Sequence, residues 1–154
     1  MFRAAIPLAP ITNNISYNYM TYYNMYEQME WVMLPHQGNL MDVLWERSAL
    51  KHVAKVKTPT MLIHGENDND VPIAESEQFY IALRDVGVEA VMVRYPREGH
   101  GLRETGHQVD ALKRSISWHR MGFEAEMEMA PIPPPGQPTR VIPVPRPSAA
   151  PPSP

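Results

Sequence analysis

Two short stretches of the chain carry side chains suited to proton transfer. The stretch "HGENDNDVP" offers three carboxylates, Glu66, Asp68 and Asp70, and the stretch "REGHG" places His100 between Gly99 and Gly101. A carboxylate that accepts a hydrogen bond from one imidazole nitrogen fixes the tautomer, so that the other nitrogen can take a proton from a nucleophile. These stretches therefore predict the acid and the base of a catalytic triad, with two glycines that leave the histidine backbone room for an unusual turn.

Apolar runs precede both stretches and predict the strands that position them. Residues 61–63 lie before the acidic stretch, and residues 88–95 lie before the histidine stretch. A helix is expected after Pro72, with Phe79, Leu83 and Val86 on one face before Gly87 ends it. A last helix, from about residue 104 to residue 123, is marked by the spacing of Val109, Leu112, Ile116 and Phe123.

This alternation of strands and helices predicts an α/β fold with a parallel sheet. In such a sheet the loops at the carboxyl ends of the strands converge. We therefore expect the side chains of Asp68 and His100 to come within hydrogen-bond reach.

The N-terminal third predicts one more strand and two helical stretches. Residues 4–8 form a short apolar run closed by prolines, which favours a buried strand over a signal peptide. Residues 18–33, with Tyr22, Met25, Met29 and Met33 at helical spacing, predict one amphipathic helix, and residues 40–53 predict a second. The Tyr/Met-rich helix is interpreted as a cover for the core, with a surface that faces substrate or partner as the alternative.

Residues 124–154 differ in composition from the rest of the chain. Eleven of the seventeen prolines lie in this segment, which predicts a Pro-rich disordered tail. Within the tail, "PGQPTR" also matches a pattern of proline-rich docking ligands. The domain expected to fold is thus residues 1–123.

Composition and charge exclude several classes of function. A net charge of -3 without a basic stripe argues against nucleic acid as a partner, and no apolar run approaches the ~20 residues that span a membrane. The absence of cysteine excludes thiolate catalysis and cysteine-based zinc sites. His100, His107 and Asp110 fit no common zinc spacing, so neither a metal nor a cofactor is expected. The compartment stays open, with the cytoplasm preferred to the periplasm or secretion.

Three motifs in "VKTPTMLIHGENDNDVPIAESEQFYIALRDVGVEAVMVRYPREGHGL" resemble those of a known family. They are "HGxxDxxVP", "QSxxxYxAL" and "YPxExH", and their matching residues are His64, Gly65, Asp68, Val71, Pro72, Ser76, Tyr80, Ala82, Leu83, Tyr95, Pro96, Glu98 and His100. Over about residues 2–123 the chain is similar to the C-terminal part of the catalytic domain in the prolyl oligopeptidase family of serine peptidases. The acylaminoacyl-peptidase-like and dipeptidyl-peptidase-like branches are the most similar.

The resemblance implies a portion of the α/β-hydrolase fold, with about three parallel strands and flanking helices. It assigns Asp68 as the triad acid and His100 as the general base. Asp70 stands where many members carry arginine.

The family's nucleophile motif, "GxSxG", does not occur in these 154 residues, because no two of the eight glycines are four positions apart. The resemblance implies that this motif and the oxyanion hole precede the matching region. A fragment of a serine peptidase that is inactive alone is therefore expected, with peptide substrates if a missing N-terminal part completes it. An exposed sheet edge could then serve self-association or a complementing chain. The alternative is a non-catalytic binding or assembly module that acts through the Tyr/Met-rich helix or the Pro-rich tail.

Overall fold

The computed structural model describes residues 2–123 and 140–141, without the side chains of residues 25–28, 122–123 and 140–141. In chain order the elements are α1 (Asn14–Met20), α2 (Asn24–Trp31), α3 (Leu40–Glu46), a 3₁₀ helix (Ala49–Lys55), β1 (Thr60–Gly65), α4 (Ala74–Asp85), β2 (Ala90–Tyr95), α5 (Thr105–Phe123) and β3 (Arg140–Val141). None of the helices described is long and apolar enough to span a bilayer.

The sheet is built on the parallel pair of β1 and β2. Their register runs from Thr60 opposite Ala90 to Gly65 opposite Tyr95. The N-terminal segment follows the other edge of β1 through parallel bridges from Ala5 and Leu8. The predicted α/β architecture is confirmed, with two parallel strands and a third segment that pairs only through these bridges.

Apolar side chains cover both faces of the sheet, which explains why the strands read as continuous apolar runs. On one face, a buried cluster joins strand residues to α5: Met61, Ile63, Val93, Tyr95, Ala111 and Trp118. On the other face, a second cluster joins strand residues to α4 and the turn after it: Leu62, Leu83, Val88, Ala90 and Met92. All six residues of β1 are buried, so its loop leaves from a fixed strand end.

The helix predicted over residues 18–33 is wrong, because the chain forms two shorter helices there. α1 ends at Met20, and the hydroxyl of its C-cap residue, Thr21, donates to the backbone oxygen of Asp70 at 2.7 Å. This contact joins residues 49 positions apart, at the turn between α1 and α2. Tyr22 and Met29, expected on an inner face, are exposed. Likewise, the helix predicted over residues 40–53 is α3 followed by the 3₁₀ helix.

α5 begins within one residue of its predicted start, but three of the four apolar residues that marked it do not face the core. Val109, Leu112 and Ile116 are exposed, whereas Ala111 and Trp118 are buried against the sheet. The side toward the sheet also holds polar groups such as Asp110, so apolar spacing located the helix but not the residues that face the sheet. Val86, similarly, is exposed at the end of α4.

A buried carboxylate joins α4 to the N-terminal segment. Glu75 is fully buried and accepts hydrogen bonds from the backbone N–H groups of Thr12 at 2.9 Å and Asn13 at 2.8 Å. Its other oxygen accepts from the hydroxyl of Ser16. Because buried carboxylates are costly unless hydrogen-bonded, this set of donors fixes α1 beside α4.

Two residues of the predicted disordered tail form strand β3. Arg140 and Val141 pair antiparallel with Arg94 and Val93 of β2, so the sheet order is β1-β2-β3. The remainder of the tail, including most of the "PGQPTR" motif, lies outside the described residues, and for that part disorder stays a prediction.

Candidate active site

The two chemically active loops leave neighbouring strand ends, and Gly65 lets them meet. The backbone N–H of Asn67 donates to the oxygen of Glu98 at 2.8 Å, which joins the loop after β1 to the loop after β2. A Cβ atom on Gly65 would lie 2.3 Å from the backbone oxygen of Gly99. Glycine at the end of β1 is therefore required for the close approach of the histidine loop.

Asp68 is buried, and every oxygen of its carboxylate has a partner. Oδ1 accepts hydrogen bonds from the backbone N–H groups of Asp70 and Val71, both at 2.9 Å. Oδ2 lies 3.0 Å from Nδ1 of His100 and 3.2 Å from Nε2 of His64. The two backbone bonds to Oδ1 stay within the loop after β1 and do not cap α4, which begins at Ala74.

The structure brings His100 to this acid with its ring half exposed, since its side chain retains 50% of its accessible surface. Because a carboxylate faces Nδ1, the proton of the neutral ring belongs on that nitrogen, and Nε2 keeps its lone pair. In the part of the chain that the structure describes, no group forms a hydrogen bond with Nε2. The arrangement can accept a proton from a group that approaches from solvent.

Glu98 fixes the loop that carries His100. Its buried carboxylate accepts hydrogen bonds from the backbone N–H groups of Arg103 at 2.8 Å and Glu104 at 2.9 Å, and from Nδ1 of His107 at 2.8 Å. Burial alone would raise the pKa of Glu98, but these three donors together hold it below its ordinary value. The sequence identified Glu98 only as a motif residue. Its partners all follow His100 in the chain and become its neighbours only in the folded loop.

The turn expected at the glycines beside His100 is wrong in its position. Neither Gly99 nor Gly101 has a positive φ, whereas Arg97 does, at 65°. The Arg97 guanidinium forms two hydrogen bonds with the Glu104 carboxylate, at 2.9 and 2.7 Å, which span this turn. The positive φ thus lies within the loop after β2, at Arg97, and not at the glycines that flank His100.

An open cleft of about 950 Å³ lies beside His100. The segment between α1 and α2 forms one wall, where the rings of Tyr22 and Tyr23 lie 4.0 Å apart at their centroids. Hydrogen bonds to Tyr23 and to the Asp70 carboxylate raise the pKa of Tyr22 above its ordinary value. Asp70 therefore lies in the cleft, close to the acid and the base.

The remaining candidates have structural partners. Glu66 forms an ion pair with Arg94 at 3.1 Å, and Asp110 accepts hydrogen bonds from Tyr95 and Arg114. His107 bonds to Glu98 and not to Asp110. The absence of a metal site shared by His107 and Asp110 stays a prediction.

Two clusters have metal-ligand spacing among the described residues, with ligand atoms within 4.8 Å of one another: Asp68, Asp70 and His100, and Glu98, Glu104 and His107. In both clusters the buried carboxylate already accepts backbone hydrogen bonds. Hydrogen bonding within the loops explains both clusters without an ion.

Comparison with known proteins matches residues 1–125 to the prolyl oligopeptidase family. The chain belongs to that family. It is 37% identical over 113 residues to the uncharacterized peptidase YuxL of Bacillus subtilis, a match that covers 73% of this chain and 17% of that protein. It is also 29% identical over 80 residues to the acylamino-acid-releasing enzyme of Rattus norvegicus, covering 52% of this chain and 11% of the relative.

Solved structures show the same fold as part of larger chains. The acylaminoacyl peptidase of Pyrococcus horikoshii superposes with a TM-score of 0.72 and 22% identity, over 82% of this chain and 22% of that one. A puromycin-hydrolyzing peptidase of Mycobacterium tuberculosis gives a TM-score of 0.68 and 26% identity, over 79% of this chain and 18% of that one. The chain thus corresponds to less than a quarter of each relative and forms part of the α/β-hydrolase fold of a serine peptidase family.

Proposed function

We propose that this chain supplies the acid and the base of a serine peptidase site, with Asp68 as the acid and His100 as the general base. The observation that carries the proposal is the 3.0 Å contact between a buried carboxylate and a half-exposed imidazole. Burial keeps water from competing for the carboxylate, while exposure leaves the other ring nitrogen accessible.

In the proposed reaction, a serine from a segment outside these 154 residues attacks the carbonyl carbon of the substrate. Nε2 of His100 takes the hydroxyl proton as the carbon–oxygen bond forms, and then gives it to the leaving amine as the scissile bond breaks. Water repeats the sequence on the acyl-serine and releases the acid product. Asp68 stays ionised throughout and stabilises the imidazolium through Nδ1.

The proposed substrates are peptides, whose amide bonds suit this chemistry. Two relatives are named for the release of an acylamino acid and for the hydrolysis of puromycin. The wide cleft beside His100 has room for an amino-acid unit.

A second candidate function is that of a binding or assembly module. The observation that favours it is the exposed Tyr/Met surface at the end of α1 and in the segment after it, with Tyr19, Met20 and Tyr22 open to solvent. The open edge of residues 4–8 could likewise pair with a second copy or with a complementing chain. This candidate needs no chemistry at His100, which separates the two proposals experimentally.

Labelling with a serine-directed fluorophosphonate tests the catalytic proposal. The 154-residue chain alone is expected not to react, because it carries no "GxSxG" serine. Mixing with the N-terminal part of the catalytic domain of a relative should restore labelling and peptide hydrolysis. His100→Ala should then lower turnover by at least ~10³-fold.

His119→Ala, which replaces an exposed histidine on α5, is the matched control and should retain turnover. Labelling of a serine in the unmixed chain, or a complemented His100→Ala variant with normal turnover, would contradict the proposal. An unreactive mixture that nevertheless forms a stable complex would favour the assembly module.

A further inference from the structure

His64 is a fully buried histidine at the end of β1, directly beneath the acid. Its Nε2 lies 2.7 Å from the backbone oxygen of Val71, and its Nδ1 lies 2.7 Å from the hydroxyl of Ser76. A carbonyl oxygen can only accept, so the ring proton is on Nε2. Nδ1 then accepts from Ser76, and both nitrogens of the neutral ring are satisfied.

The bond to Val71 connects His64 to Asp68 through the loop backbone. The N–H of Val71 donates to Oδ1 of Asp68 at 2.9 Å, while the carbonyl of the same residue accepts from His64. The Nε2–H group also lies 3.2 Å from Oδ2 of Asp68. His64 therefore holds Val71, the residue whose N–H binds one carboxylate oxygen, and places a donor beside the other.

The ring is suited to this task only while it is neutral. Its side chain has no exposed surface, and burial lowers the pKa of His64 below its ordinary value. An imidazolium would present a second positive charge to Asp68 and compete with His100 for the carboxylate. The charged and titratable groups that face His64 are Asp68 and His100, with Ser76 of α4 as its neutral neighbour.

We propose that His64 is a positioning residue that, through Val71, holds the carboxylate of Asp68 in the orientation that meets Nδ1 of His100. This inference rests on the proposed function, since it gives His64 a role only if Asp68 orients the base. Ser76 contributes by donating to Nδ1 of His64, which keeps the proton on Nε2.

Two substitutions of His64 distinguish a positioning role for this residue from a role in which it only fills space. Phenylalanine keeps a planar ring, although a larger one than that of histidine, and would leave the Val71 carbonyl and the Ser76 hydroxyl buried without partners. Glutamine can place an amide N–H near the position of Nε2 and an oxygen near Ser76. His64→Phe and His64→Gln therefore form a matched pair that differs in the donor.

Nitrogen-15 NMR of the histidine rings in the full 154-residue chain measures the tautomer of His100 and does not require catalytic activity. In the parent chain, His100 should be mainly the Nδ1–H tautomer. In His64→Phe, the ratio of Nδ1–H to Nε2–H at His100 should fall roughly tenfold, as expected for the loss of one hydrogen bond to a charged group. His64→Gln should recover most of the parent ratio.

Two further variants keep the outcomes distinct. Asp68→Asn should abolish the preference for Nδ1–H, and a parent-like ratio there would overturn the proposed acid–base pair itself. If Asp68→Asn behaves as expected but a folded His64→Phe keeps the parent ratio, the positioning role of His64 is refuted. Should His64→Phe fail to fold, Ser76→Ala replaces it, with a smaller fall in the same ratio expected and no fall overturning the inference.

Discussion

At the scale of single residues, the site separates the tasks of acid and base by burial. Asp68 has no exposed side-chain surface and four polar contacts, whereas the His100 side chain keeps half of its surface and makes one hydrogen bond within the described part of the chain. A buried carboxylate with several donors is fixed in one orientation, and an exposed ring can meet a substrate. The orientation of the acid is therefore fixed by its own hydrogen bonds, while the position of the base depends on how the loop that carries it is held.

Glu98 holds the base loop, and its replacement tests that dependence. Glu98→Gln should lower the free energy of unfolding at neutral pH by about 1–3 kcal/mol, because the amide nitrogen cannot accept the backbone donors. Since the pKa of Glu98 is lowered in the folded chain, its stabilisation is present above the carboxyl group's unfolded pKa. It is lost as the pH falls through the lower, folded value.

Urea unfolding at several pH values measures this difference. The gap between the parent chain and Glu98→Gln should be largest near neutrality and should shrink in acid. Glu89→Gln, an exposed carboxylate just before β2, is the control and should change stability little at any pH. A gap that is constant across the acid range would show that the charge of Glu98 plays no part.

At the scale of elements, the parallel pair of β1 and β2 brings the two loops together. The strands are in register up to Gly65 opposite Tyr95, so each loop begins at the same level of the sheet. Gly65→Ala should displace the histidine loop, because the added Cβ would lie 2.3 Å from Gly99 O and 2.5 Å from Glu98 O, both backbone atoms. Neither atom can move without the loop.

The expected cost of Gly65→Ala is about 1–3 kcal/mol of stability, the range for overpacked sites, together with loss of the Asp68–His100 contact. Chemical unfolding and the ring NMR of His100 measure the two effects. Gly101→Ala is the control, since a Cβ there meets nothing within 4 Å and should be tolerated. Equal behaviour of the two variants would contradict the close approach.

The elements also show how far the sequence could predict the site. Continuous apolar runs before Asp68 and His100 were enough to predict that both loops leave from the carboxyl ends of the strands. The reason is that parallel strand order follows from the alternation of strands and helices. The break between α1 and α2 coincides with the bond of Thr21 to Asp70, a contact that local spacing does not encode. The same is true of His64, whose partners become neighbours only when the loop folds back.

At the scale of the whole molecule, the two outer edges of the sheet differ. The edge formed by residues 4–8 has no partner strand among the residues described, while β3 covers part of the β2 edge. Residues 139–142, "TRVI", are the longest stretch without proline from residue 131 onward, and three of the four are β-branched. This is the part of the tail best able to form strand hydrogen bonds.

The tail also has the length to reach this edge. Sixteen residues separate the end of α5 from Arg140, and extended chain spans up to about 3.3–3.6 Å per residue. α5 itself, with 19 residues, is about 28 Å long. The linker can therefore return along the helix to the end of β2 where Arg140 pairs.

Disrupting β3 is expected to expose the β2 edge and to promote pairing between copies. In antiparallel strands only alternate residue pairs exchange hydrogen bonds, so the test replaces both residues, Arg140→Pro with Val141→Pro. Amide exchange in β2 should quicken at low concentration, and light scattering should show association rising with concentration. Ala149→Pro with Ala150→Pro adds the same two rings to the tail outside β3 and should leave both measurements unchanged. Since residues 4–8 are the same in both variants, association that appears equally in both would come from that edge and would contradict a covering role for β3.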